Sequence, residues 1–193
     1  MNKFEFNETN HIYKLNGSVI PSVTEVIEPI HQKVYKNISA HSLEIAADRG
    51  TRVHRAIEFW NKYNFYNVDE DCKGYIEAYK KFRNDHQDWK LLNSELRTYH
   101  KNLFYGMTID EVYQTPKGIV INDIKTTSQP RMDVWAVQLG GYKAGYASQH
   151  HSISDTTILQ LFNNGRYVLY DVKDDYFIFL ACLQIYRFNE RSK

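Results

Sequence analysis

Cysteine is scarce in this chain, which has only Cys72 and Cys182 among its 193 residues. Two thiols cannot build a four-cysteine zinc or iron–sulfur centre, and they argue against a disulfide-stapled fold. Long apolar runs are also missing, because none approaches the roughly 18 residues of a membrane-spanning helix. The polar, acid-bearing start "MNKFEFNETN" is unlike a signal or transit peptide. We therefore expect a cytoplasmic protein without a membrane partner.

An excess of charge of either sign is missing as well. The 24 Lys and Arg residues nearly balance the 23 Asp and Glu residues, so the formal net charge is +1. Such a chain has no global field that attracts nucleic acid, and a polyanion would have to be held by a local basic patch or by a metal. The length and the 42% hydrophobic content predict one soluble domain over residues 1–193.

Apolar spacing predicts the first half of the fold. The segment "KFEFNETNHIYKLNG" alternates and turns like a hairpin, and Ser22 and Glu25 have capping-box spacing at the start of a helix. A second helix follows over "SLEIAADRGTRVHRAIEFWNKYN", which we expect to be interrupted or kinked near Gly50. Its apolar face runs from Leu43 to Ile57 and includes His54. A third helix is predicted over residues 73–90.

The second half predicts a sheet. A strand at "NSELRTYH" and two strands within residues 106–127 precede a helix at about 131–147. "TTILQLF" and "YVLYDV" then form a hairpin, and "DDYFIFLACLQIYRFNER" forms a last helix. The order of helices, three strands, helix, two strands and helix indicates an α/β sheet flanked by helices.

Charged residues interrupt the apolar hairpin "GMTIDEVYQTPKGIVINDIKTT" at residues 106–127. Asp110 is expected where the first strand begins, and Asp123 and Lys125 where the second ends. A turn at 115–118 sets a register that pairs Gln114 with Ile119, Val112 with Ile121, and Asp110 with Asp123. Lys125 then projects on the same side of the sheet as Asp123.

Two carboxylates placed about 5 Å apart repel each other, so one takes up a proton or a cation lies between them. Oxygen ligands favour Mg²⁺ or Mn²⁺. Such an ion polarises a phosphoryl oxygen and lowers the pKa of a water, and Lys125 would position that water or stabilise developing charge. Spacing alone is equally compatible with solvated acids at strand ends that have Lys125 as a surface partner.

Several short motifs occur in a fixed order along the chain. They are "RGTRVHRAIE" with Gly50, Thr51 and His54; Glu95 in "NSELRTY"; Gly106-x-x-x-Asp110; Asp123-Ile124-Lys125-Thr126; and Gln138-x-x-x-Tyr142. Together they resemble the PD-(D/E)xK nucleases of the RecB-like exonuclease branch, although Ile109 stands in place of the proline. The opening "IYKLNGSVIPSVTEVI" resembles the start of phage-encoded members.

The resemblance implies a restriction-endonuclease-like α/β fold, in which a mixed β-sheet is flanked by helices. Residues 1–40 would form an N-terminal hairpin and helix, and residues 41–193 the nuclease core. The resemblance further implies a metal held by Asp110, Asp123 and the Ile124 carbonyl, beside the catalytic lysine Lys125.

His54 and Glu95 complete the implied metal site. A lone histidine on an apolar helix face is typically a core residue, but the motif series favours His54 as a further ligand. Glu95 fits a metal site and an ordinary strand equally well. Glu58, one turn after His54, would support it or be an exposed helix acid.

The resemblance also implies residues that contact DNA. Gln138 and Tyr142, one helical turn apart, would line the site, and Thr126, Arg52 and Arg131 are further candidates. Without the resemblance, these residues read as helix packing and solvated surface. The cysteines of the iron–sulfur members and a GxxxxGK[ST] loop are absent from the sequence, so we expect Mg²⁺ or Mn²⁺, no iron–sulfur cluster and no nucleotide cofactor.

These features predict a divalent-metal-dependent nuclease that hydrolyses DNA phosphodiester bonds. We expect an exonuclease on linear single- or double-stranded ends, acting in recombination, repair or DNA degradation in a bacterial or phage-infected cell. A protein partner from a recombination system is compatible with this role, and the sequence does not specify the oligomeric state. The alternatives are a catalytically inactive DNA- or protein-binding module on the nuclease fold, an endonuclease, or activity on RNA.

Overall fold

The structure is a computed structural model that describes residues 2–150 and 153–191. It has the predicted mixed α/β architecture, with a five-stranded sheet, a three-stranded sheet and flanking helices. The elements are β1 (Phe4–Asn7), β2 (Ile12–Leu15), β3 (Ser18–Ile20), α1 (Val23–Val26), α2 (Glu28–Tyr35), α3 (Ala40–Tyr63), α4 (Glu70–Asp85), β4 (Lys90–Tyr99), β5 (Gly106–Thr115), β6 (Gly118–Lys125), α5 (Met132–Ala147), β7 (Asp155–Leu161), β8 (Tyr167–Asp171) and α6 (Tyr176–Glu190).

The larger sheet has the strand order β4-β5-β6-β7-β8. Its neighbours pair antiparallel except β6 and β7, which are parallel. A parallel pair needs a long crossover, and α5 provides it between these two strands. Within the described residues, no helix is both long and apolar enough to cross a bilayer.

Two hydrophobic clusters cover the larger sheet. One joins α1, α5 and α6 to the sheet around the buried side chains of Trp135 and Phe179. The other joins α3 and α4 to the sheet through Ile57, Phe82 and Ile124. Because Ile124 immediately follows Asp123, the second cluster fixes the end of β6 against α3, where the candidate site lies.

The N-terminal hairpin is confirmed, and the structure adds β3 to it as a third strand. This small sheet packs against β4 and β5 through aromatic side chains. The Tyr13 ring lies so close to Gly106 that a Cβ there would come within 2.3 Å of Tyr13 Cγ. Phe4 stacks on Tyr99 of β4 with ring centroids 5.1 Å apart. The division into residues 1–40 and 41–193 stays a prediction.

Helix boundaries were predicted less accurately. The prediction that the helix is interrupted near Gly50 is wrong, because α3 is continuous from Ala40 to Tyr63. One glycine costs a helix only about 1 kcal/mol, too little to break a long one. Leu43 is exposed, so the predicted apolar face is buried only from Val53 onwards, where α3 meets α4. The helix predicted at 73–90 begins and ends earlier, since position 90 already starts β4.

The capping box at the start of α1 is confirmed. Ser22 Oγ accepts a hydrogen bond from the Glu25 backbone N–H at 3.0 Å, and Glu25 Oε2 accepts one from the Ser22 N–H at 2.7 Å. The helix that this box opens ends after Val26, and α2 follows it with a proline in its first turn.

Two glycines inside helices provide a matched test of this packing. An added Cβ at Gly74 in α4 would lie 1.6 Å from the backbone oxygen of Asn163 in the β7–β8 turn. An added Cβ at Gly50 in α3 would meet Thr126 Oγ1 at an ordinary 3.7 Å. We expect Gly50→Ala to raise the free energy of unfolding by about 1 kcal/mol through helix propensity. Gly74→Ala should lower it by about 2 kcal/mol through overpacking.

Urea unfolding of both variants measures these changes directly. Equal shifts of the same sign for the two variants would contradict the docking of α4 on the β7–β8 turn.

Candidate active site

The hairpin of β5 and β6 sets the frame of the candidate site. Its register is the predicted one, with Gln114 opposite Ile119, Val112 opposite Ile121 and Glu111 opposite Asn122. Asp110 and Asp123 therefore occupy the next position of the hairpin. The expectation that Asp110 lies at the start of its strand is wrong, because β5 already begins at Gly106 and pairs with β4 from there.

The two aspartates are buried, with 8% of Asp110 and 2% of Asp123 exposed. Asp110 Oδ2 accepts a hydrogen bond from the Ile124 backbone N–H at 2.7 Å. Asp123 Oδ2 lies 2.7 Å from Lys125 Nζ, but no aligned hydrogen bond reaches this buried oxygen from the described residues. A buried carboxylate oxygen without an aligned donor is one that a cation could satisfy.

Lys125 lies between the aspartates and α5. Its ammonium donates a hydrogen bond to Gln138 Oε1 at 2.9 Å, and Gln138 Nε2 donates to the Tyr142 hydroxyl at 2.8 Å. The two α5 residues that the family resemblance implies at the site therefore lie beside Lys125. Tyr142 is only 6% exposed, and its hydroxyl accepts the hydrogen bond that orients Gln138. Its contact with DNA stays a prediction.

His54 of α3 and Glu95 of β4 close the other side of the site. His54 Nδ1 lies 3.3 Å from Asp110 Oδ1 and 3.4 Å from Glu95 Oε1, and Nε2 lies 3.1 Å from the Ile124 carbonyl oxygen. Both ring nitrogens therefore face acceptors, which is the environment of a protonated imidazolium. Glu95 has a backbone φ of 51°, an uncommon conformation for a non-glycine residue that re-aims its side chain within the strand.

Burial and charge together set the protonation of this cluster. Burial raises the pKa of Asp123 from 3.8 to about 6, with the Lys125 ammonium opposing the rise and the Asp110 carboxylate adding to it. Burial acts in the same direction on Asp110, but the His54 imidazolium and Lys125 outweigh it and lower the pKa of Asp110. Burial disfavours the charged form of Lys125, yet the two aspartates raise its pKa above the ordinary value.

The pKa values of the two remaining groups shift for similar reasons. Burial alone would lower the pKa of His54, but the carboxylates of Asp110 and Glu95 raise it well above its usual value. The pKa of Glu95 is raised, chiefly by burial, and the nearby His54 opposes that rise. The two cations thus supply the positive charge that keeps the acid cluster partly ionised inside the protein.

The donor set of this cluster fits a divalent metal. One ligand atom each from His54, Glu95 and Asp110 lies within 4.8 Å of the other two. Asp123 is outside this group of three, but its Oδ2, which pairs with Lys125 without an aligned hydrogen bond, is the kind of oxygen that hard cations prefer. A metal bound at His54 Nδ1 would replace the proton on that nitrogen, since ligating histidines are neutral.

The other candidate residues lie around the cluster in different settings. Thr126 is buried beside Gly50 of α3. Arg52 is held by three carboxylates, those of Asp48, Asp69 and Asp71, at 2.9 Å each. The Arg131 guanidinium lies over the Tyr35 ring at 5.8 Å. Their roles in DNA binding stay predictions, and for Arg52 the three acids already compensate the charge.

Two charged residues near the site were not predicted from the sequence. Glu111, next to Asp110, is fully buried; its carboxylate accepts hydrogen bonds from the Tyr79 hydroxyl and, at 2.9 Å, from Asn122 Nδ2. In the sequence, the sign of this buried carboxylate is an acidic residue inside an otherwise apolar strand. Arg97 of β4 places Nη1 3.8 Å from Glu58 Oε1. That contact links Glu58 to Arg97, a partner that helical spacing alone does not reveal.

No protein-family model and no curated protein sequence matches the chain. Among solved structures, it is similar to SSO0001, at 12% identity over 69% of each chain with a TM-score of 0.37. It is also similar to an alkaline exonuclease, LHK-Exo, from Laribacter hongkongensis, at 10% identity over 89% of this chain and 91% of that one, with a TM-score of 0.43.

The same exonuclease in complex with dAMP gives 10% identity over 90% of this chain and 92% of that one, with a TM-score of 0.42.

The opposing effects of Lys125 and Asp110 on Asp123 provide a test of the electrostatics. We expect Lys125→Met to raise the pKa of Asp123 above about 6, because the ammonium no longer favours the carboxylate. Asp110→Asn should lower that pKa, because it removes a neighbouring negative charge. A carboxyl carbon NMR titration of the metal-free protein measures both shifts. Unchanged titration of Asp123 in both variants would show that the three groups are not adjacent.

Proposed function

We propose that this chain is a divalent-metal-dependent nuclease that hydrolyses DNA phosphodiester bonds. The observation that carries the proposal is the buried Asp123 oxygen without an aligned hydrogen bond, beside Lys125 and next to the cluster of His54, Glu95 and Asp110. Burying several carboxylates side by side costs free energy. Perturbed groups of this kind concentrate at functional sites.

The residues divide into ligands and a charge-stabilising group. Asp110, Asp123, Glu95 and His54, with the Ile124 carbonyl, would hold Mg²⁺ or Mn²⁺. When bound, such an ion supplies Lewis acidity at a phosphoryl oxygen and lowers the pKa of a water molecule. His54 Nε2 forms a hydrogen bond with the Ile124 carbonyl oxygen. That hydrogen bond would have to break if His54 and the Ile124 carbonyl were to ligate the same ion.

Lys125 acts through its fixed ammonium. Gln138 orients it by accepting a hydrogen bond, and Asp110 and Asp123 keep it protonated. A cation held in place near a reacting phosphate stabilises the charge that develops in the transition state without reorganisation. The same ammonium can hold the attacking water by donating a hydrogen bond to it.

Within this proposal the enzyme is an exonuclease of the RecB-like branch that works from linear DNA ends. The motif series in the sequence supports this finer assignment. A nuclease fold kept only for binding would not need to retain both aspartates together with a charged, buried lysine. An endonuclease would use the same site, and the form of the DNA substrate distinguishes the two.

A second lysine–aspartate pair on the same protein makes the activity test specific. Lys143 Nζ lies 2.8 Å from Asp174 Oδ2, much as Lys125 Nζ lies 2.7 Å from Asp123 Oδ2. We expect Lys125→Gln to reduce DNA hydrolysis in Mg²⁺ or Mn²⁺ by about 100-fold or more, as for loss of one transition-state donor. Lys143→Gln should leave the rate close to that of the wild type.

Digestion of end-labelled linear DNA and closed circular DNA measures the rates. The proposal predicts that linear DNA is degraded and the closed circle is spared. Linear DNA that stays intact with both metals would contradict the proposed nuclease activity. Equal rates for Lys125→Gln and the wild type would contradict the assignment of Lys125 to the active site. Cutting of the closed circle would favour an endonuclease.

A further inference from the structure

A cationic side chain lies at the edge of the acid cluster and has no role in the site described above. Arg97 follows Glu95 by two residues on β4. The Arg97 Nη1 atom lies 3.5 Å from the Glu95 carbonyl oxygen and 3.8 Å from Glu58 Oε1. Arg97 is therefore next to a candidate metal ligand.

The N-terminal sheet supports this guanidinium. Arg97 Cζ lies 5.3 Å from the centroid of the Phe6 ring, a cation–π arrangement. The Phe6 ring packs on Tyr13 with ring centroids 4.8 Å apart. The Tyr13 hydroxyl is 2.7 Å from Thr108 Oγ1 on β5, in a hydrogen bond. Through this chain of contacts, the guanidinium is positioned relative to the hairpin that carries Asp110.

Fewer and more distant carboxylates contact Arg97 than contact Arg52. Glu8 Oε1 is 3.2 Å from Arg97 Nη2, and the Glu8 side chain is 83% exposed. By contrast, Arg52 has three carboxylates at 2.9 Å. An exposed ion pair contributes little free energy, because water screens the attraction. A phosphate, which offers two oxygens to the planar guanidinium, can therefore replace Glu8 at little cost.

We propose that Arg97, seated on Phe6, binds the DNA backbone phosphate next to the one that is cleaved, and that this phosphate displaces Glu8. The inference rests on the proposed function, because it takes the acid cluster as the place where DNA is cut. It assigns the N-terminal sheet a part in substrate binding: Phe6 orients the guanidinium, and Glu8 occupies it while DNA is absent.

Two substitutions with opposite expected effects test the proposal. Arg97→Gln should weaken binding of a fluorescein-labelled single-stranded oligonucleotide about tenfold and reduce the slope of log K against log salt by about one. Glu8→Gln should tighten binding severalfold, because it removes the carboxylate that competes with phosphate. Lys117→Gln, in the turn at the far end of the β5–β6 hairpin, removes a charge away from the site and should leave the salt slope unchanged.

Fluorescence anisotropy in EDTA, at about 50 to 200 mM salt, gives the binding constants without cleavage. If Arg97 merely anchored the hairpin through Glu8, then Arg97→Gln and Glu8→Gln would change binding in the same direction, and that result would overturn the proposal. Wild-type protein that fails to bind the oligonucleotide would overturn it too. If Arg97→Gln does not fold, the Glu8→Gln variant tests the proposal by itself. Tighter binding by Glu8→Gln supports the proposal, and unchanged or weaker binding refutes it.

The binding readout is separate from hydrolysis. A protein that binds DNA through Arg97 but never cuts it would retain this inference and lose the proposed function. A protein that cuts DNA while Arg97→Gln binds like the wild type would retain the function and lose this inference.

Discussion

The burial of Asp110 and Asp123 side by side is the constraint on which the rest of the site depends. Two like charges about 5 Å apart repel by about 3 kcal/mol at an effective dielectric constant of about 20. The fold offsets this repulsion with two cations from different elements, His54 of α3 and Lys125 of β6. Burial also raises the pKa of Asp123 to about 6, so that a proton binds there at a higher pH than it would at an exposed aspartate. Removing any one of these groups changes the charge state of the others.

Much of the fold could be predicted from local patterns in the sequence. The β5–β6 register followed from the turn at 115–118, because turn length and alternating burial fix a hairpin. The Ser22 capping box was visible for the same local reason. The continuity of α3 through Gly50 and the addition of β3 to the first hairpin could not be predicted in this way. Both depend on what the segments contact, since helix propensity and hairpin signals are weak against tertiary packing.

The sequence points to residues that the structure brings together, but it shows few of their contacts. Spacing placed Asp110 near Asp123, and motif order placed Gln138 near Lys125, and the structure brings each pair together. The bond between His54 and the Ile124 carbonyl, and the left-handed backbone at Glu95, arise from how α3 and β4 meet β6, which no local pattern reports. The position of Arg97 beside the cluster has the same origin.

Binding of Mn²⁺ tests the central claim, that these buried carboxylates form a metal site. Isothermal titration calorimetry should show that wild-type protein binds Mn²⁺, that Asp110→Asn loses at least about tenfold in affinity, and that Asp174→Asn, which alters a remote ion pair, binds like the wild type. The account is contradicted if the wild type takes up neither Mn²⁺ nor Mg²⁺, or if Asp110→Asn binds as tightly as the wild type.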